Sequence, residues 1–188
     1  RIYNPKEMDF FTKKGPIFTN LLLADEINRA PAKVQSALLQ AMEEKQVTIG
    51  EETYTLEKPF MVLATENPIE QEGTYPLPEA QLDRFFMKVL VDYPTHQEEK
   101  EILNRFSDIK VDNIKKVLAP DKIAKKAEII EKIYIDDKLI DYIVTIVGET
   151  RKPSRKELKK YIEFGASPRA SIALMKASRC IAFIRGRG

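Results

Sequence analysis

Apolar positions change their spacing along this chain, and the changes mark out its elements. Leu21-Leu22-Leu23-Ala24 is a continuous apolar run that stops abruptly at Asp25-Glu26, the pattern of a strand buried on both faces of a parallel sheet. After Pro31 the spacing becomes helical, through Val34, Ala37, Leu38, Ala41 and Met42, which predicts an amphipathic helix. Val47-Thr48-Ile49 and Tyr54-Thr55-Leu56, parted by Gly50-Glu51-Glu52, predict a β-hairpin. Phe60-Met61-Val62-Leu63-Ala64 then repeats the first apolar run and ends in Thr65-Glu66-Asn67-Pro68. Two such strands joined by a crossover would bring Asp25, Glu26, Glu66 and Asn67 to one rim.

A polar loop from Glu70 to Pro78 precedes a short helix over 79–84 and a third strand over Phe86–Val91, which stops at Pro94. Ahead of the first buried strand, Ile2-Tyr3 and Phe10-Phe11, closed by Gly15-Pro16, predict a small hairpin. Beyond Pro94 the texture is helical. Thr95 with Glu98 forms a capping box for a helix carrying Ile102, Leu103 and Phe106. Further helical stripes run through Ile123, Ala127, Ile130 and Ile133, and through Ile140, Ile143, Val144 and Val147. A last helix starts at Ser167-Pro168 and carries Ala170, Ala173, Leu174, Ala177 and Ile181. These changes divide the chain near Pro94, into residues 1–94 and 95–188.

Composition narrows the function classes. With 188 residues, 43% hydrophobic and 32% charged, the chain is globular and long enough for a sizeable core. A net charge of +2 gives little encouragement to nucleic acid or membrane binding, and the basic runs Arg151-Lys152 and Arg155-Lys156 read as solvated loop. No apolar stretch approaches the length of a membrane span, and a cytoplasmic location is expected. The single Cys180 excludes an internal disulfide and sits at helical spacing with Ala177, Ile181 and Ile184, as a buried small hydrophobe. The single His96 excludes multi-histidine metal sites and falls in the first turn of a predicted helix, where solvent exposure is expected. The chain opens on Arg1 rather than Met, so it reads as a piece of a longer polypeptide.

The acidic pair has two readings: a strand that has reached water, or a site. In P-loop nucleotide hydrolases a strand ending in Asp-Glu serves two needs at one place, a hard anionic oxygen for magnesium and an acceptor for the attacking water. An amide such as Asn67 on the neighbouring strand can donate and accept without adding charge beside a polyanion. Arg84, at the end of the short helix, could reach a phosphate on an adjacent subunit, or could form an ion pair with Asp83 or Glu79. Arg169 stands at a helix start, where the dipole disfavours a cation and a bound anion would compensate it.

Taken in order, four segments resemble the AAA+ ATPases, and specifically the MoxR family, over essentially the whole chain. Leu21 to Pro31 resembles the family's Walker B segment, Ala64 to Pro68 its sensor 1, Leu77 to Phe85 its arginine-finger segment and Gly165 to Ala170 its sensor 2. The resemblance implies an α/β fold, a partial P-loop NTPase parallel sheet with helices, followed by a small all-helical lid domain. It implies Asp25 as magnesium ligand, Glu26 as catalytic base, Asn67 as sensor, Arg84 as a finger acting across a subunit interface, and Arg169 as a lid residue that touches phosphate. The hairpin at 47–56 would correspond to the insertion before sensor 1, and residues 2–18 to the insertion in the second helix. ATP and Mg2+ are the implied cofactors. The implied assembly is a hexameric ring, a chaperone that matures or inserts metal into partner proteins, often ones with a von Willebrand factor A domain.

One departure stands out. None of the seven glycines supplies a Gly-x-x-x-x-Gly-Lys-Ser/Thr pattern, so the phosphate-cradling loop is absent from these residues. The family carries it upstream, on a strand between the second and third strands named above. This polypeptide alone is therefore expected neither to bind ATP well nor to turn it over, and its open strand edges to favour aggregation. Two other functions remain at this point. One is a non-catalytic module that recognises a protein through its hairpins and lid; the other is a metal-dependent hydrolase using Asp25, Glu26 and Glu66 as direct ligands.

Overall fold

The computed structural model describes residues 2–5, 8–67, 73–106 and 115–187. An antiparallel hairpin, β1 (Ile2–Asn4) and β2 (Asp9–Phe11), leads into β3 (Leu21–Ala24). A short 3-10 turn over Ile27–Arg29 follows, then α1 (Ala32–Glu44). The second hairpin is β4 (Gln46–Ile49) and β5 (Glu52–Thr55), and β6 (Met61–Ala64) comes next. β3 and β6 pair in parallel, with Leu21 opposite Met61 and Ala24 opposite Ala64. The crossover between them is made by α1 and the hairpin, so both strands end at the same rim.

α1 covers one face of this two-stranded sheet. Leu38 and Leu39 of α1 pack with Ile27 and Leu77, against Leu22, Ala24, Val62 and Ala64 of the strands. A second cluster, Ala41, Leu56 and Phe60, joins the helix to the hairpin stem. The buried Gln35 side chain donates from Nε2 to the carbonyls of Ile27 (3.2 Å) and Tyr75 (2.9 Å), fastening to α1 the loop ahead of α2 (Glu79–Leu82). Buried carbonyls left without such a donor are costly.

Two expectations about the sheet require correction. The strands are not buried on both faces: Leu21, Leu23, Met61 and Leu63 point away from α1 and are 47–65% exposed. Side chains alternate along a strand, and the described residues place no layer on that second face. The segment 86–91 forms no strand. Val89, Leu90 and Val91 are 71–90% exposed; a strand forms only against a hydrogen-bonding partner, and none of the described strands pairs with this segment. The polar loop expected from Glu70, and Pro68 before it, fall in part outside the described residues.

The remainder is helical: α3 (His96–Phe106), α4 (Pro120–Glu131), α5 (Asp137–Arg151), a 3-10 segment over Lys156–Tyr161, and α6 (Pro168–Ile184). The capping box forms as its spacing predicts, with the Thr95 N–H donating to Glu98 at 2.8 Å and the Glu98 N–H to the Thr95 hydroxyl at 3.4 Å. His96 is exposed at the start of α3. Cys180, expected to be buried, is only half-buried on α6, because the small helical unit leaves much of its apolar surface open.

The segment ahead of α6 meets the end of α5 at Gly165, where an added Cβ would stand 2.8 Å from Cα and Cγ of Arg151. The close approach lets Ala166 N–H donate to Thr150 Oγ1 (2.9 Å) and Arg151 Nε to the Ala166 carbonyl (2.7 Å). No helix among the described residues is long and apolar enough to cross a membrane.

Candidate active site

The rim at the carboxyl ends of β3 and β6 is built around Thr65. Its hydroxyl donates to Asp25 Oδ1 at 2.5 Å and accepts from the Glu26 N–H at 2.9 Å. Backbone bonds frame this contact, Thr65 N–H to the Ala24 carbonyl at 3.0 Å and Ile27 N–H to the Thr65 carbonyl at 3.0 Å. Between them Glu26 takes a left-handed backbone, φ 48° and ψ 53°, a conformation that is uncommon and unfavourable for a residue with a side chain. The chain thus turns sharply out of β3 just where the acidic pair stands. Glu26 Oε2 pairs with Arg29 Nε at 2.8 Å, both side chains about two-fifths exposed. Asn67 follows two residues after Thr65 and is half-buried.

Arg84 and Arg169 form a second cluster, at the junction of the α/β part and the helical part. Arg84 Nε lies 3.3 Å from Glu43 Oε2, and Arg169 Nη2 lies 2.6 Å from Glu43 Oε1. Arg169 Nη1 is 3.7 Å from Asp83 Oδ2. The Ser167 hydroxyl donates to the Asp83 carboxylate at 2.7 Å and accepts the Arg169 N–H at 3.0 Å, capping α6. The ion-pair partner of Arg84 is therefore Glu43, on the last turn of α1, rather than Asp83 or Glu79. Asp83 is taken up by Ser167 and Arg169, and the anions that compensate Arg169 at the positive end of α6 are these two carboxylates.

A groove of about 360 Å³ runs beside Arg84, lined by Ser36, Gln40, Glu43, Glu44 and Gln81. Hydrogen bonds from the Gln46 and Gln40 side chains, with the charge of Arg84, hold the Glu44 carboxyl below its usual range. Two carboxylates, Glu43 and Glu44, thus stand beside Arg84 in this groove.

The acidic pair suits magnesium of one kind. Mg2+ is commonly held by one or two carboxylates together with substrate phosphates and water, and Asp25 presents such an oxygen at the rim. No group of three His, Cys, Asp or Glu side chains able to hold an ion occurs among the described residues. Asp25, Glu26 and Glu66 thus do not form the ligand set that a metal-dependent hydrolase would need.

Sequence reasoning named Asp25, Glu26, Asn67, Arg84 and Arg169 as candidates but not Thr65 and Glu43, which bond to Asp25 and to the two arginines. Thr65 carried a signal, as a hydroxyl at the end of the second apolar run. Glu43 had none, since it lies on the polar side of an amphipathic helix, far in sequence from both arginines.

A parallel β-pair joined by a crossover helix and followed by a helical unit defines an α/β protein with a separate helical part. Comparison with known proteins agrees. The family described as "ATPase family associated with various cellular activities (AAA)" matches residues 1–87, and the AAA lid domain matches residues 155–188. Chaperone MoxR1 of Mycobacterium tuberculosis is 47% identical over 190 residues, covering all of this chain and 50% of that protein. Protein YeaC of Bacillus subtilis is 45% identical, covering 99% of this chain and 57% of that protein. A crystal structure from Cytophaga hutchinsonii, described as a candidate ATPase, superposes with a TM-score of 0.88 at 47% identity, over 99% of this chain and 58% of that one. The chain belongs to the MoxR-type AAA+ ATPases. It spans about half the length of the curated relatives it matches.

Proposed function

We propose that these residues supply the hydrolytic half of a magnesium-dependent ATPase, whose phosphate-cradling loop lies in a further part of the full-length protein. The observation that supports this most directly is the Thr65 hydroxyl, which ties the Asp25 carboxylate and the Glu26 backbone into one arrangement across two parallel strands. When bound, magnesium neutralises phosphate charge and fixes the triphosphate's orientation. Asp25 offers the anionic oxygen for it. Glu26 accepts a hydrogen bond from water and takes its proton, turning from Arg29 to do so, and Asn67 orients that water or the terminal phosphate. The bare sheet face and the unpaired segment 86–91 fit a further strand and covering helices from the rest of the protein.

Arg84 and Arg169 share Glu43, whereas Asp25 and Glu26 are bonded to Thr65 and Arg29. This grouping favours both arginines serving a phosphate bound to the adjacent subunit, with Arg169 acting in trans alongside the finger. A ring meets that need, and for this family it would be a hexamer. The division near Pro94 would separate the motor part from the lid. Remodelling or metal loading of partner proteins in the cytoplasm, with von Willebrand factor A domain proteins among them, is the coupled activity we assign. The first test is Glu26→Gln in the full-length protein, which is expected to bind nucleotide and lose turnover.

A further inference from the structure

We propose that Glu43 is a positioning residue that yokes the finger to the lid; this rests on the reading of Arg84 as a finger. The geometry divides one carboxylate between two guanidiniums, Oε2 to Arg84 and Oε1 to Arg169. Arg84 is engaged through Nε, which orients the guanidinium while leaving its two terminal nitrogens for the bidentate contact that a phosphate accepts. Arg169 is engaged through both terminal nitrogens, by Glu43 and Asp83, so it must exchange a carboxylate for any phosphate it meets.

Three segments distant in sequence thus meet at Glu43: the end of α1, the turn after α2, and the first turn of α6. A displacement of α6 pulls on the carboxylate that orients Arg84. Lid position and finger orientation are coupled through this one side chain. Glutamine cannot replace it, because one amide oxygen accepts from one guanidinium and the amide nitrogen repels the other.

The test is a double-mutant cycle on steady-state ATP turnover by the full-length protein, with wild type, Glu43→Ala, Arg84→Ala and the double variant. Misorienting a reacting group costs on the order of ten- to a hundredfold. Glu43→Ala is expected to lower kcat about tenfold with little change in KM, yet to change the residual turnover of Arg84→Ala by a much smaller factor, about two- to threefold, because only the hold on Arg169 is then left to lose. A merely structural glutamate would lower both backgrounds by the same factor, and that result overturns the proposal while leaving the finger intact. Arg84→Ala turning over at the wild-type rate would instead remove the finger reading, and Glu43 with it. If Glu43→Ala does not fold, Glu43→Gln, which keeps volume and one acceptor, takes its place in the cycle with the same expected and overturning outcomes.

Discussion

Thr65→Val removes one hydroxyl and keeps the side chain's shape. That hydroxyl donates to Asp25 and accepts from the Glu26 N–H. A hydrogen bond to a charged group contributes about 1.5–3 kcal/mol and a neutral one about 0.5–1.5 kcal/mol. Both lie at an exposed rim, where competition with water reduces their sum to about 1–2 kcal/mol. The left-handed backbone of Glu26 opposes them with a cost of about 1–2 kcal/mol. With the two effects near balance, losing about 1.4 kcal/mol lowers the equilibrium constant for the arranged acidic pair about tenfold, and its population from about one half to about one tenth, roughly fivefold. ATP turnover by the full-length protein, followed by phosphate release, is expected to fall by about that factor, with nucleotide affinity nearly unchanged. Thr65→Ser keeps the hydroxyl and is expected to stay near the wild-type rate. Wild-type turnover in Thr65→Val, or an equal loss in Thr65→Ser, would refute the reasoning.

Gly165→Ala places a methyl group 2.8 Å from Arg151 Cα. It is expected to destabilise the helical part by about 1–3 kcal/mol, seen as a lower urea midpoint; an unchanged midpoint would mean that the segment ahead of α6 shifts freely from the end of α5. The Glu98 carboxyl is held below its usual range by the backbone N–H and then the hydroxyl of Thr95. A folded-state value below the unfolded one stabilises above the unfolded value and is lost as pH falls through the lowered one. Helical circular dichroism should therefore fray in that acidic window, and Glu98→Gln should reduce the pH dependence; an identical acid titration would contradict the cap's role.

Most element positions were legible because local spacing records them. The stripe from Val34 to Met42 marked α1, the capping box marked α3, and Ser167-Pro168 marked the start of α6. What local spacing cannot record is a neighbour. Among the described residues the apolar run 86–91 has strand character but no partner, and Leu21 and Leu23 have burial character without a layer to bury them. The same limit hid Glu43, whose partners lie about forty and more than a hundred residues away. Asp25, Glu26, Asn67, Arg84 and Arg169 could be named from the sequence, whereas their separation into a rim and a junction could not.

The most direct measurement sets nucleotide binding beside turnover for Glu26→Gln in the full-length protein. The change keeps the side chain's size and removes the charge that accepts a proton from water. The account predicts magnesium-dependent ATP binding close to wild type with turnover reduced at least a hundredfold, roughly the lower range for a positioned general base. Turnover within about twofold of wild type would contradict it.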